Sequence, residues 1–301
     1  MKQKKKAKNQ KEKGESMVLF GPSGCGNEFY EQGHKTILEV PKWVKEYGLD
    51  AYEYSFGHGY TMSTELAQKA GQLFKEYDIK LSLHAPFYIN FANPDVLMYQ
   101  KTQGYIYTGI RFMRAFGADR MVFHPASQGK LDRPSAIALT TERFKETFGK
   151  MEEEGLLDGL YLCPETMGKT MQIGTYKEVI ELCKTNSHLV PTFDFGHINS
   201  IEQGGLKTKD DFKRIIDYCI ENLGFDRTDN SHIHFSKIQY GAKGEIRHLN
   251  YDDEVYGPNF EPLAEVLIDY KLSPRVICES MDKMPNDALI MKKIYQKILD
   301  K

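Results

Sequence analysis

Arg120-Met121-Val122-Phe123-His124-Pro125 is a short apolar run that ends on an imidazole and is then broken by proline. Its length and composition predict a buried strand rather than a helix, with His124 at the C-terminal end. The same design recurs on both sides of it. Upstream, Ser82-Leu83-His84-Ala85-Pro86 closes a predicted strand over 80–84. Downstream follow Leu162-Cys163-Pro164-Glu165-Thr166, Thr192-Phe193-Asp194-Phe195-Gly196-His197, His232-Ile233-His234-Phe235-Ser236 and Val276-Ile277-Cys278-Glu279-Ser280. With the runs at 17–20 and 51–56 this makes about eight strands, each trailed by a helical stretch. One such stretch spans 64–77, where Leu66, Ala70, Leu73, Phe74 and Tyr77 recur at helical spacing behind Ser63, a residue suited to an N-cap.

Strict alternation of strands and helices demands a parallel sheet covered by helices, and eight such units are the number that closes a barrel. The predicted fold is therefore α/β, a single (β/α)8 TIM barrel over residues 17–301. A doubly wound open sheet gives the same alternation but carries a glycine fingerprint after its first strand. Gly21-Pro22-Ser23-Gly24-Cys25-Gly26 has neither that spacing nor a Gly-Lys-Ser ending and reads as a loop.

With 301 residues, 41% of them hydrophobic and 27% charged, the chain has the balance of a globular protein. No stretch approaches the ~18 consecutive apolar residues of a membrane span, and Met17-Val18-Leu19-Phe20 is too short for a secretory h-region. Five scattered cysteines without a Cys-x-x-Cys pair read as reduced core residues, so a cytoplasmic location is expected. Residues 1–16 hold seven lysines against Glu12 and Glu15, a +5 tail expected to be disordered, which leaves −7 on the rest of a chain whose net charge is −2. Met17 is then the expected start of the folded domain. An acidic body argues against non-specific nucleic-acid binding, although bound divalent metals reverse charge locally.

His84, His124, Glu165, Asp194, His234 and Glu279 each stand at the C-terminal end of a different predicted strand, and in a barrel those ends converge on one face. Each follows apolar residues, where an unpaired charge is costly to bury. Metal coordination relieves that cost, and mixed imidazole and carboxylate donors suit Zn²⁺ or Mn²⁺. Asp194 and His197 flank Phe195-Gly196, and a sharp turn at the glycine is expected to aim both into one cavity. A polar segment beyond the seventh strand, Gly244-Glu245-Ile246-Arg247-His248, reads as a long loop offering a further carboxylate and imidazole. His232 is read as facing away from the barrel axis, opposite His234. His34, His58 and His188 read as surface residues, and Trp43 as core.

These strings resemble the endonuclease IV family of metal-dependent apurinic/apyrimidinic endonucleases, within the xylose-isomerase-like barrels, along nearly the whole chain from Met17. The resemblance implies about three zinc ions, with Mn²⁺ at some positions. His84, His124 and Glu165 would hold the first, and Glu165 would bridge to a second held also by Asp194, His234 and Glu279. His197 and His248 would hold the third, with Glu245 supplying its carboxylate. In the family that carboxylate is an Asp two residues before the histidine, where this chain has Ile246. The implied activity is hydrolysis of the phosphodiester 5′ to an abasic site in double-stranded DNA, by a hydroxide generated at the metals beside Glu165, in a monomeric enzyme. Phe87 and Tyr88 fall where the family enters DNA at the lesion and read equally as a wedge or as loop anchors; Arg247 would face a phosphate.

The competing reading is a sugar isomerase or epimerase, which needs only Glu165, Asp194, His234 and Glu279 around one divalent ion. The surplus of histidines favours the nuclease. A metal-dependent binding module without turnover would keep the same ligands.

Overall fold

The apolar runs form eight barrel strands: β1 (Leu19–Pro22), β2 (Ala51–Ser55), β3 (Lys80–His84), β4 (Arg120–Phe123), β5 (Tyr161–Pro164), β6 (Thr192–Asp194), β7 (His232–Phe235) and β8 (Arg275–Cys278). The computed structural model describes residues 17–301, so the lysine-rich tail lies outside the described residues. Parallel ladders join β6-β7-β8-β1 and β2-β3-β4-β5. Single parallel bridges complete the ring, Ser23 to Glu53 between the first two strands, and Leu162 to Leu189 with Glu165 to Thr192 between β5 and β6. The barrel thus closes in sequence order, as the count of units predicts.

Helices cover it. Ser63 caps the helix Thr64–Glu76 by accepting from the Leu66 amide at 3.2 Å, and Asp95 accepts from the Leu97 and Met98 amides at the start of Val96–Phe116. The buried face of the first helix is Ala67, Ala70, Gly71 and Phe74, while Leu66 and Leu73 are only half-buried. Ala70 and Phe74 face inward as expected, while Ala67 and Gly71 are buried in place of Leu66 and Leu73, and a Cβ on Gly71 would lie 2.3 Å from the Phe116 carbonyl oxygen.

Between β4 and the covering helices, Phe91, Phe123, Phe144 and Phe148 interlock with ring centroids 4.7–6.2 Å apart. Each such ring contributes on the order of 1.5–3 kcal/mol through burial. Trp43 is core, and all five cysteines are free, four of them buried. At the N-terminal ends of the strands, Arg120 and Arg275 meet Asp119 at 3.2 and 2.9 Å. Above them Val122, Cys163 and Val190 form an apolar layer, and the strands' far ends open on the mouth. Among the described residues no helix is long and apolar enough to cross a membrane.

Two expectations fail locally. The segment expected as a polar loop is the second arm of an antiparallel hairpin, Lys237–Gly241 with Gly244–Leu249, whose pairing shifts by one residue beside Ile246. The Asp194–His197 segment makes no glycine turn. The helix Phe195–Ile201 starts directly after β6, with Asp194 Oδ1 accepting from the His197 amide at 2.7 Å. Gly196 is needed for close packing instead, since a Cβ there would lie 2.7 Å from the Ser236 carbonyl oxygen.

Candidate metal centre

Glu165 follows β5 and is 1% exposed, and its two oxygens face different partners. Oε2 lies 3.2 Å from His84 Nε2 and 3.2 Å from His124 Nε2. Oε1 lies 3.0 Å from His234 Nδ1 and 3.5 Å from His197 Nδ1. Glu279 Oε2 adds a second carboxylate 3.3 Å from His234 Nδ1. Asp194 spends Oδ1 on its helix cap, and its buried Oδ2 makes no hydrogen bond, its near neighbour being His197 Nδ1 at 3.2 Å. The third histidine group is His197 and His248 about Glu245, with Nε2 atoms 3.5 and 3.9 Å from the carboxylate.

Donor atoms within 4.8 Å of one another therefore fall into His84-His124-Glu165, Glu165-Asp194-His234-Glu279 and His197-Glu245-His248. The nine residues that the resemblance implies as ligands are brought together in the implied partition, with Glu165 common to the first two groups. A fourth group, Glu53-His232-His234, adds Glu53 and His232 to the implied donors. His232 does not face away from the axis, because strand residues two apart share a face. It lies 2.9 Å from Glu53 Oε2 and is fully buried. Glu53 itself was missed, although a glutamate inside Ala51-Tyr52-Glu53-Tyr54 is the signal of a buried charge.

The bulge explains how Glu245 and His248, three apart, can share a face. Tyr240 pairs with Glu245 and Gln239 with Arg247, so Ile246 is the extra residue and points out, 58% exposed. Glu245 returns to the phase of His248. Gly168 backs this group, and a Cβ there would stand 2.6 Å from the His197 ring and 2.8 Å from Glu245 Cβ.

Ring orientations are fixed from outside the cluster. His84 Nδ1 donates to the Ala85 carbonyl at 2.8 Å and His197 Nδ1 to the Thr166 carbonyl at 2.9 Å, while His248 Nδ1 meets Ser236 Oγ at 2.9 Å. With Nδ1 protonated, a neutral His84 or His197 turns the Nε2 lone pair on a carboxylate oxygen, an arrangement that a cation between the two would relieve. Glu53, Glu165, Asp194, Glu245 and Glu279 converge here, and among the described residues their sole Lys or Arg ion pair is Lys169 with Glu245 at 3.9 Å. Burial pushes the Asp194 carboxyl up, helped by Glu165 and Glu279. Burial also pushes His84 and His197 down, but surrounding carboxylates outweigh it and hold both at about 9. The excess of buried negative charge and the orphaned Asp194 oxygen fit a set of divalent ions.

A cavity of about 260 Å³ opens over the cluster, lined by His84, His124, Glu165, His197, Glu245, His248 and Glu279 together with Phe87, Met167 and Lys169. Phe87 and Tyr88 are half-exposed, their rings 4.7 Å apart, with Phe87 edge-on to His58 and Tyr88 stacked on Tyr105. Arg247 is exposed and donates to Gln239 at 2.8 Å, so it does not line the cavity. A larger depression, about 970 Å³, lies beside Asp119 and Arg275 at the opposite end and gathers no comparable donors.

Fold and mouth together define a (β/α)8 barrel carrying a histidine–carboxylate centre at the C-terminal ends of its strands. The chain belongs to the xylose isomerase-like TIM barrel family, whose sequence pattern matches residues 41–295. An uncharacterized protein of Methanocaldococcus jannaschii is 30% identical over 94% of this chain and 99% of its own. A probable endonuclease 4 of Staphylococcus carnosus is 29% identical over 60% of each chain. Among solved structures, a D-psicose 3-epimerase crystallised with D-fructose matches at TM-score 0.67 and 15% identity, over 94% of this chain and 100% of the other. Endonuclease IV from Thermus thermophilus matches at 0.64 and 16%, over 93% and 98%. At such identities these two likenesses concern the fold alone, which nuclease and epimerase share.

Proposed function

We propose that the chain is a metal-dependent endonuclease of the endonuclease IV kind, cleaving DNA 5′ to abasic sites. The observation that carries this reading is the third donor group, His197-Glu245-His248, beside the two that share Glu165. A one-metal isomerase has no use for it. The Staphylococcus carnosus relative, a probable endonuclease 4, supports the same reading.

Bound divalent ions would supply a water acidified toward neutrality and positive charge against the phosphate. The residues of the chain do the rest. Glu165, with one oxygen toward each of two groups, holds them in fixed relation, and Asp194 Oδ2 and Glu279 complete the second. His84 and His197, their tautomers set by carbonyls, present lone pairs inward. Phe87, exposed and lining the cavity, offers an apolar surface beside the opening where an extruded abasic sugar would sit, with Tyr88 packed against it. Arg247 stands outside the cavity, where a flanking phosphate would pass.

The test is incision of an oligonucleotide duplex holding one stable abasic analogue. Metal-loaded protein should cut on the 5′ side of the analogue and leave the undamaged control whole. The second reading, a ketose epimerase using Glu165, Asp194, His234 and Glu279 alone, is favoured by the size of the mouth cavity, which suits a monosaccharide. No incision, together with metal-dependent epimerisation of a ketohexose, would replace the first reading by the second.

A further inference from the structure

Glu53 sits inside the barrel beneath the mouth, fully buried, and no Lys or Arg among the described residues pairs with it. Its Oε1 is 2.8 Å from His234 Nε2 and its Oε2 is 2.9 Å from His232 Nε2, close contacts in which none of the four atoms completes a hydrogen bond. A carboxylate in such a place carries a desolvation cost, which raises the question of what it supports. The other edge of the His234 ring shows what. Nδ1 of the same ring faces Glu165 Oε1 at 3.0 Å and Glu279 Oε2 at 3.3 Å, the heart of the second donor group. A neutral imidazole has one N–H edge and one lone pair; with an ion on the Nδ1 lone pair the proton is left on Nε2, facing Glu53.

We propose that Glu53 is a positioning residue, fixing His234 with Nε2 protonated and Nδ1 free to hold the second divalent ion, while His232 steadies the opposite oxygen of Glu53; this role presupposes the metal reading of that group. A carboxylate behind a ligating histidine orients the ring and raises its basicity. A fourth ion among Glu53, His232 and His234 is the other arrangement the donors allow, but it would make His234 bridge two ions as an imidazolate.

The test is competition titration of Zn²⁺, and of Co²⁺ followed by its visible absorption, against a chromophoric chelator in wild type, Glu53→Gln and His232→Gln. Glu53→Gln keeps the shape and removes the charge. It should weaken one bound ion by about 10–100-fold, shift the cobalt spectrum and leave the remaining ions and the metal-free unfolding midpoint unchanged. His232→Gln, which leaves Glu53 in place, should weaken the same ion by less, and decides the matter if Glu53→Gln does not fold. Wild-type affinities at every site in the variants would overturn the proposal, as would equal weakening of all ions with a lowered metal-free midpoint. One further ion in wild type that Glu53→Gln loses would replace it by the fourth-site arrangement. A wild type that binds no divalent ion would instead overturn the metal reading itself.

Discussion

Glu165 joins the first two donor groups, one oxygen to each. Glu165→Gln keeps the shape but offers one carbonyl oxygen and an NH₂ that cannot ligate. Incision should fall by more than about 100-fold, beyond what outer-shell changes produce, and metal content should drop while the fold persists by circular dichroism. Near-normal incision with full metal content would show that the carboxylate does not join the groups. Six of the donors were legible one by one, because an ionisable residue after an apolar run announces itself at the end of a strand. Glu53 gives a weaker signal, a charge in mid-strand between Tyr52 and Tyr54 rather than at a strand end, and its partners lie 179 and 181 positions away in β7. His232 was misplaced through the phase of a strand, where residues two apart share a face.

At the scale of elements, the hairpin after β7 is where sequence and structure part most. A shift of pairing at one residue leaves no mark in composition, so Gly244-Glu245-Ile246-Arg247-His248 read as a loop. The bulge makes a spacing of three equivalent to the spacing of two that the resemblance to endonuclease IV implies, since Ile246 is looped out of the ladder. Deleting Ile246 should therefore preserve the third group, with Glu245 and His248 two apart on a regular ladder, and metal content should stay at the wild-type level. Glu245→Ala should lose the third ion alone and slow incision. If deletion of Ile246 cost as much metal as Glu245→Ala, the phase of the strand would not be what aims Glu245. The strands and the order of the barrel were legible because alternation with helices constrains a whole architecture. On Thr64–Glu76 the expected Ala70 and Phe74 face inward, but packing distance, which no periodicity encodes, buries Ala67 and Gly71 rather than Leu66 and Leu73.

Across the whole molecule, the barrel gathers five carboxylates at and beneath its mouth with little permanent positive charge to balance them. Ions that bind the folded chain stabilise it by mass action, about 2.7 kcal/mol per site at a hundredfold excess over the dissociation constant. Removing them with a chelator should lower the unfolding midpoint by at least about 5 °C in a chain of this size, and restoring Zn²⁺ should recover it. An unchanged midpoint would mean that protons on the histidines balance the carboxylates unaided. The fold alone does not separate nuclease from epimerase, since both likenesses cover almost the entire chain. What separates them is how many ions the mouth holds, and elemental analysis of fully loaded protein counts these directly. The three donor groups predict about three divalent ions per chain; a single ion per chain in active protein would contradict the account.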